Sequence, residues 1–162
     1  MNRNLFVELV KEHREGLWRF MCALCCGDAA RADDLAQDTC VKAYVAMDSL
    51  TDDTKFKSWL FRTAYNTFLD SCRQHRNSDV LAAAESMVAA DSADRSFRYE
   101  ALYSALARLS EKERAATVLF YIQGYQVKEI AAIVSSNESA IKKQLSRARD
   151  HLKILLNDEY GD

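Results

Sequence analysis

The side chains of this chain that could do chemistry are chiefly cations set at helical spacing. Lys142, Lys143, Arg147, Arg149 and Lys153 place five cations within twelve residues, with Asp150 as the main acid among them. With Leu145 at the centre of a buried face and about 100° of rotation per residue, Ile141, Ala148 and Leu152 fall on the inner side. Ser139, Lys143, Arg147 and Asp150 then point away, while Lys142 and Arg149 flank the apolar stripe. A protruding cationic helix of this kind fits a DNA major groove, where its charges neutralise phosphates. The same charges also suit a solvated face on a plain helical hairpin. What precedes them favours DNA: Val127 to Val134 reads as a short helix, Ser135-Ser136-Asn137 breaks it, and Asn137 is an N-cap for a last helix to about Leu156. Two helices joined by so tight a turn have the form of a helix-turn-helix.

Other chemistries find less support. The cluster Cys22-Ala23-Leu24-Cys25-Cys26 offers two ligands at metal-binding spacing, whereas a structural zinc site wants four. With Cys40 and Cys72 the cysteines number five, and the expectation is free, mostly buried thiols with no metal and no cofactor. No phosphate-binding glycine loop, paired carboxylates on an apolar face, or Ser/His/Asp set is present. His13, His75 and His151 lie far apart, so the chain reads as a binding protein and not an enzyme.

The elements that carry these groups read as all-α. The 162 residues include no proline and four glycines, and alanine and leucine far outnumber the β-branched residues. No run of eighteen apolar residues exists, so no membrane insertion is expected, and the charged N-terminus has no signal-peptide core, which points to a cytoplasmic protein. The net charge of -2 excludes a chain that coats nucleic acid through bulk charge. Apolar spacing predicts helices over roughly 4–26 (Phe6, Leu9, Leu17, Phe20, Leu24), 31–47 (Leu35, Thr39, Ala43, Met47) and 56–76 (Phe56, Trp59, Leu60, Thr63), with Thr54 as an N-cap for the third. Later come a short helix through Leu109, a capping box at Ser110 and Glu113, a helix to Gln123, and Gly124 as a left-handed C-terminal cap. Between the two halves, residues 78–97 hold four acids (Asp79, Glu85, Asp91, Asp94) against Arg95 and few large apolar groups. That stretch reads as an acidic linker, although its alanines also permit a surface helix. The expected architecture is therefore two small helical domains, 1–77 and 98–162, joined by the linker 78–97.

Three segments together resemble one family. VKEIAAIVSSNESAIKKQLSRARDHL resembles region 4 of the sigma-70 family of RNA polymerase sigma factors, in its extracytoplasmic-function (ECF) group. DDLAQDTCVKAY resembles region 2.2 of the same family, and FKSWLFRTAYNTFLDSCRQHR its regions 2.3 and 2.4. Order, spacing and the missing region 3 domain all fit that group. Within region 4 the chain departs from the common pattern at Ser135, where a turn glycine is usual, and at Ala140 and Gln144, which bears on promoter sequence and not on fold.

The resemblance implies a factor that binds core RNA polymerase and directs promoter-specific initiation. The region 2.2 helix would dock on the clamp helices of the largest subunit, here through Asp34, Gln37, Asp38 and Lys42, which share one helical face. Region 2 would capture the melted minus-ten strand, a task for aromatic surfaces and backbone-binding cations. Phe56, Trp59, Phe61 and Tyr65 interleave with Lys55, Lys57, Arg62 and Arg73, and Asn66 could bond a base edge. Core packing competes for Trp59 and Leu60, whose spacing matches the buried stripe. Region 4 would read the minus-thirty-five element through Ser139, Lys142, Lys143, Ser146, Arg147 and Arg149 and meet the polymerase flap. The acidic linker matches the segment that threads towards the polymerase active site, and a cognate anti-sigma factor is common in the family. The competing reading is a helix-turn-helix regulator that acts without polymerase, but residues 1–77 show no pattern of a receiver or ligand-binding domain.

Overall fold

A computed structural model describes residues 1–78 and 93–160. Seven α-helices occur among them: α1 (Arg3–Leu24), α2 (Ala29–Val45), α3 (Phe56–Ser78), α4 (Ala93–Ala107), α5 (Glu111–Thr117), α6 (Val127–Ile133) and α7 (Glu138–Tyr160). No strand is present among the described residues. Of the acidic segment 78–97, residues 79–92 lie outside the described ones, and α4 begins at Ala93.

Capping side chains set most of the helix starts. Asn2 accepts from the Leu5 amide, Asp28 from that of Arg31, Ser110 from that of Glu113 and Asn137 from that of Ala140. The Glu113 carboxylate lies 3.2 Å from Nδ1 of His151, so it ties α5 to α7. Ahead of α3 the cap is Asp52, not Thr54. The Asp52 carboxylate accepts from the Thr54 amide at 3.0 Å and its hydroxyl at 2.6 Å, which starts a 3₁₀ turn, Asp53–Lys55, that runs into α3. Those bonds hold the Asp52 carboxyl below its ordinary range.

Helices α1, α2 and α3 bury one face each. Leu17, Phe20, Met21 and Leu24 of α1 meet Ala32, Leu35 and Ala43 of α2 and Phe56, Leu60, Phe61, Ala64 and Phe68 of α3. Thr39 and Thr67 are buried polar residues in this half, and their hydroxyls donate to the Leu35 and Thr63 carbonyls at 2.7 and 2.8 Å, so their burial leaves neither hydroxyl unpaired. In the second half, Ala115, Ala116, Val118 and Leu119 pack beneath Ile130, Ala131 and Ile133 of α6 and Ile141, Leu145 and Ala148 of α7. The end of α5 widens into a π turn, Val118–Ile122, and Gly124 closes it at φ 77°.

The two halves share one continuous apolar core. Arg114 joins them: its guanidinium donates to the Leu106 and Leu109 carbonyls at the α4–α5 corner (2.9 and 3.2 Å) and to the Leu24 carbonyl at the end of α1 (2.7 Å). Helix ends leave carbonyls without intrahelical partners, and a planar five-donor fork can satisfy several at once. Gln123 Nε2 adds a bond to the Gly16 carbonyl at 3.3 Å, and Tyr103 packs against Gly27.

The α6–α7 turn takes a left-handed residue without glycine. Ser135 has φ 55°, and the Ser136 amide returns to the Ala131 carbonyl at 2.8 Å, so Ser135 occupies the position where a C-terminal glycine is favoured. A left-handed L-residue is strained by about 1–2 kcal/mol. Replacement by glycine removes that strain but loosens the unfolded chain, an opposing effect of about 0.4–1 kcal/mol. Ser135→Gly should therefore raise unfolding free energy by up to about 1 kcal/mol in urea titrations. Ser135→Val, which branches at Cβ, should lower it by more than about 1 kcal/mol.

Candidate nucleic-acid and polymerase interface

Helix α7 is seated as its periodicity predicts. Ile141, Leu145 and Ala148 are buried, Leu152 is half-buried, and Ser139, Lys142, Lys143, Ser146, Arg147 and Arg149 are exposed. Helix α6 and the Ser135 turn hold it at its N-terminal end, so the exposed side projects from the molecule. The cations are not equivalent. Arg149 Nη1 lies 3.4 Å from the Tyr121 hydroxyl and can donate to it, which leans Arg149 towards the π turn. Lys143 and Arg147 stand one turn apart with no ion-pair partner among the described residues, so their donors are available to a ligand.

Helix α3 divides its candidate residues between two faces. Lys55, Lys57, Arg62, Asn66 and Arg73 are all exposed. At about 100° per residue, Arg62, Asn66 and Arg73 fall within about 40° of one another, whereas Lys57 lies about 140–180° away from Arg62 and Asn66. Arg73 lies 3.8 Å from Asp70, which also sits 3.8 Å from Lys42 of α2, so this carboxylate links two of the candidate surfaces. Lys57 faces the second half of the chain: its Nζ stands 5.1 Å from the centroid of the Tyr125 ring, a cation-π distance.

The interleaved aromatics are mostly not available to bases. Phe56, Phe61 and Tyr65 are buried, and only Trp59 of the four keeps a partly exposed surface. Phe56 makes edge contact with Phe6, and Phe61 packs on Phe20 and Tyr125. The expectation of stacking platforms at Phe56, Phe61 and Tyr65 is therefore corrected. These rings share the inward arc of α3 with Leu60, Ala64 and Phe68, and a ring removed from water into a core is unavailable to an unstacked base.

Tyr125 is itself unusual. It is 7% exposed, and its hydroxyl is buried without a hydrogen-bond partner among the described residues. Burial pushes the phenol up to about 12, with the Glu129 charge adding to the effect. The Ser58 hydroxyl pulls the other way, although its geometry falls short of a hydrogen bond.

On α2, Asp34, Gln37, Asp38 and Lys42 are all exposed. Two apolar residues that sequence reasoning missed stand among them: Val41 is 63% exposed and Val45 79%. They follow Asp34 and Asp38 at the same helical register, and Tyr44, half-exposed, flanks them. The signal was legible as valines at i and i+4 on an otherwise polar stripe.

The cysteines are free thiols: Cys22, Cys25 and Cys72 are buried, and Cys26 and Cys40 are half-buried. Burial pushes Cys22 up to about 11 and Cys25 up to about 12, so both stay protonated and poorly nucleophilic near neutral pH.

Comparison with known proteins bears directly on these surfaces. The family model for sigma-70 region 2 matches residues 9–78, which contain the α2 and α3 faces. The model for sigma-70 region 4 matches residues 99–152, which contain the helix-turn-helix. The ECF RNA polymerase sigma factor SigM of Bacillus subtilis is 29% identical over 96% of this chain and 97% of its own length. SigM of Mycobacterium tuberculosis, also an ECF RNA polymerase sigma factor, is 30% identical over 96% of this chain and 79% of its own. Among solved structures, the sigma factor RpoE in complex with the anti-sigma factor NepR from Bartonella quintana superposes with a TM-score of 0.76. That match has 29% identity and covers 94% of this chain and 96% of RpoE. With two sigma regions in order and relatives matched along nearly its full length, the chain belongs to the ECF group of the sigma-70 family of RNA polymerase sigma factors.

Proposed function

We propose that this ECF sigma factor is a dissociable, non-catalytic specificity subunit with three separate working surfaces. The exposed face of α2 docks on the clamp helices of core RNA polymerase, with Val41 and Val45 as the apolar centre and Asp34, Gln37, Asp38 and Lys42 as the polar rim. Lys55, Lys57, Arg62, Asn66 and Arg73 serve the melted minus-ten strand. Helix α7 reads the minus-thirty-five element while its domain meets the flap. Residues 1–77 form the first unit and 98–162 the second, with the acidic stretch 78–97 as the link. Its place of work is the cytoplasm, where polymerase and chromosome are, and an anti-sigma factor is a proposed partner by analogy with the NepR complex.

One observation carries this reading: Lys143 and Arg147, with no ion-pair partner among the described residues, project from a helix whose opposite side, Ile141, Leu145 and Ala148, is buried. That arrangement presents donors to base edges at the floor of a groove. Run-off transcription with purified core polymerase on a promoter panel tests it. Promoter-specific transcripts that require the chain are expected. Tight sequence-specific binding by the free chain, with no transcript from any template, would favour a regulator that needs no polymerase.

Within the same assay the cations of α7 separate. Arg147→Ala should relax preference at one or two minus-thirty-five positions, a loss of about 1–3 kcal/mol of discrimination for a paired base contact. Lys142→Ala, at the flank, should weaken all promoters alike and reduce the salt slope by about one. An unchanged preference profile in Arg147→Ala would show that the groove-facing side of α7 is misassigned.

The α2 surface predicts a defect of another kind. Val45→Glu puts a charge at the centre of the apolar patch without touching the core, so circular dichroism and melting should be unchanged. Affinity for core polymerase should fall at least about tenfold, since an unpaired charge would have to be desolvated at the interface. Retained affinity in co-purification or anisotropy titration would move the docking face elsewhere.

A further inference from the structure

The end of α5 leaves its helical register. On a continued α-helix Ile122, four residues after Val118 and three after Leu119, would join the buried side that those two residues occupy. Instead the Gln123 amide returns to the Val118 carbonyl at 3.0 Å, and the wider turn leaves Tyr121 53% and Ile122 47% exposed. Turns of this kind are rare in helices and frequent at functional sites. The Tyr121 ring stands against that of Phe120, with centroids 4.9 Å apart and planes at 80°, and its hydroxyl accepts from Arg149 Nη1 at 3.4 Å.

A hydrogen bond on the surface contributes little to folding, because water offers the same partners. Its use lies in what it leaves free. The phenol accepts through its oxygen, so its own O–H still has a proton to donate, and the rest of the Arg149 fork keeps its donors. Arg149 has no ion-pair partner among the described residues. Donors from two separate elements thus converge on one point, an arrangement that suits the several oxygens of a phosphate. Arg149 also shares its flank of α7 with Lys142, within about 20° and about two turns away, so both cations face the same side of the helix.

We propose that Tyr121 and Arg149 form one phosphate-binding pair that grips the DNA backbone beside the minus-thirty-five element, with the phenol hydroxyl holding the guanidinium in place and adding a donor of its own. This rests on the reading that α7 enters a DNA groove. The part of Tyr121, contributed by the π turn and not by the helix-turn-helix, goes beyond that reading. An arginine loses rotamer freedom when it is fixed on a phosphate, and a guanidinium already held at one N–H loses less. The partner is the sugar-phosphate chain and no base, so the pair should act on all promoters alike.

Holoenzyme assembled from purified core polymerase, titrated by anisotropy with promoter duplexes over a range of salt, tests the pair. Tyr121 is exposed, so Tyr121→Phe should leave helicity and melting unchanged. It should weaken DNA binding about three- to tenfold, equally on intact and altered minus-thirty-five elements. Arg149→Ala should weaken it about tenfold and lower the salt slope by about one. The double variant should lose less than the product of the two single effects, since the hydroxyl acts partly through the guanidinium. Ethylation interference should lose one and the same phosphate in both single variants, a result that a purely structural tyrosine does not produce. Wild-type affinity in Tyr121→Phe with a loss in Arg149→Ala, or losses that multiply at two different phosphates, would overturn the pair and leave the groove reading of α7 standing. Unchanged DNA binding with weaker affinity for core polymerase in both variants would also overturn it, by assigning the surface to a protein contact. Indifference of DNA binding to Arg147→Ala, Lys142→Ala and Arg149→Ala together would remove α7 from DNA, and the pair with it.

Discussion

The inward arc of α3 is the surface on which the other elements depend. Phe56, Leu60, Phe61, Ala64 and Phe68 turn towards α1 and α2, and Phe61 extends the same apolar surface to Tyr125 beyond them. Burying a large apolar side chain contributes about 1.5–3 kcal/mol, so a helix with this many buried positions has one available rotation about its axis. That rotation leaves Arg62, Asn66 and Arg73 in solvent together. The candidate strand-binding face is thus a consequence of core packing: the rings expected to stack on bases are the ones that orient the cations.

A different constraint governs the second half. Helices α5 and α6 have seven residues each, too short to persist without support. Their ends are held by side chains: Ser110 on the Glu113 amide, the Glu129 carboxylate on the Gln126 amide at 2.9 Å, and Arg114 across the carbonyls of the α4–α5 corner. The stripe of α7 then seats on this small platform. Because Ile141, Leu145 and Ala148 are deeply buried while Lys143 and Arg147 are exposed, a rigid back and an adaptable front coexist on one helix.

Charge is arranged locally in a chain that is nearly neutral overall. Between α2 and α3, Asp70 stands between Lys42 and Arg73, which damps that part of the surface. On α7 Lys143 and Arg147 have no ion-pair partner among the described residues, which leaves positive potential on the outward side of the helix. Lys57 takes an intermediate course, with its ammonium held by a ring and not by an acid. A carboxylate partner would neutralise the charge, whereas a ring leaves it in place.

Local order was legible in the residues themselves. The caps at Ser110 and Asn137, the left-handed Gly124 and the buried stripe of α7 follow from interactions within about one or two helical turns, and near-neighbour spacing decides those. The three motif segments, in order, carried the family. Contacts across the fold decided the rest. Phe56, Phe61 and Tyr65 alternate with cations in the same way whether they face bases or a core, and only α1, α2 and Tyr125 packed against them settle which. Lys57 and Arg62 read alike along the chain until Tyr125, more than sixty residues away, takes one of them. Val41 and Val45 share the register of Asp34 and Asp38, so their outward position was legible in the spacing, and the packing of α2 leaves both exposed. Periodicity determines which residues share a face; which face is covered depends on surfaces that meet only after the chain has folded.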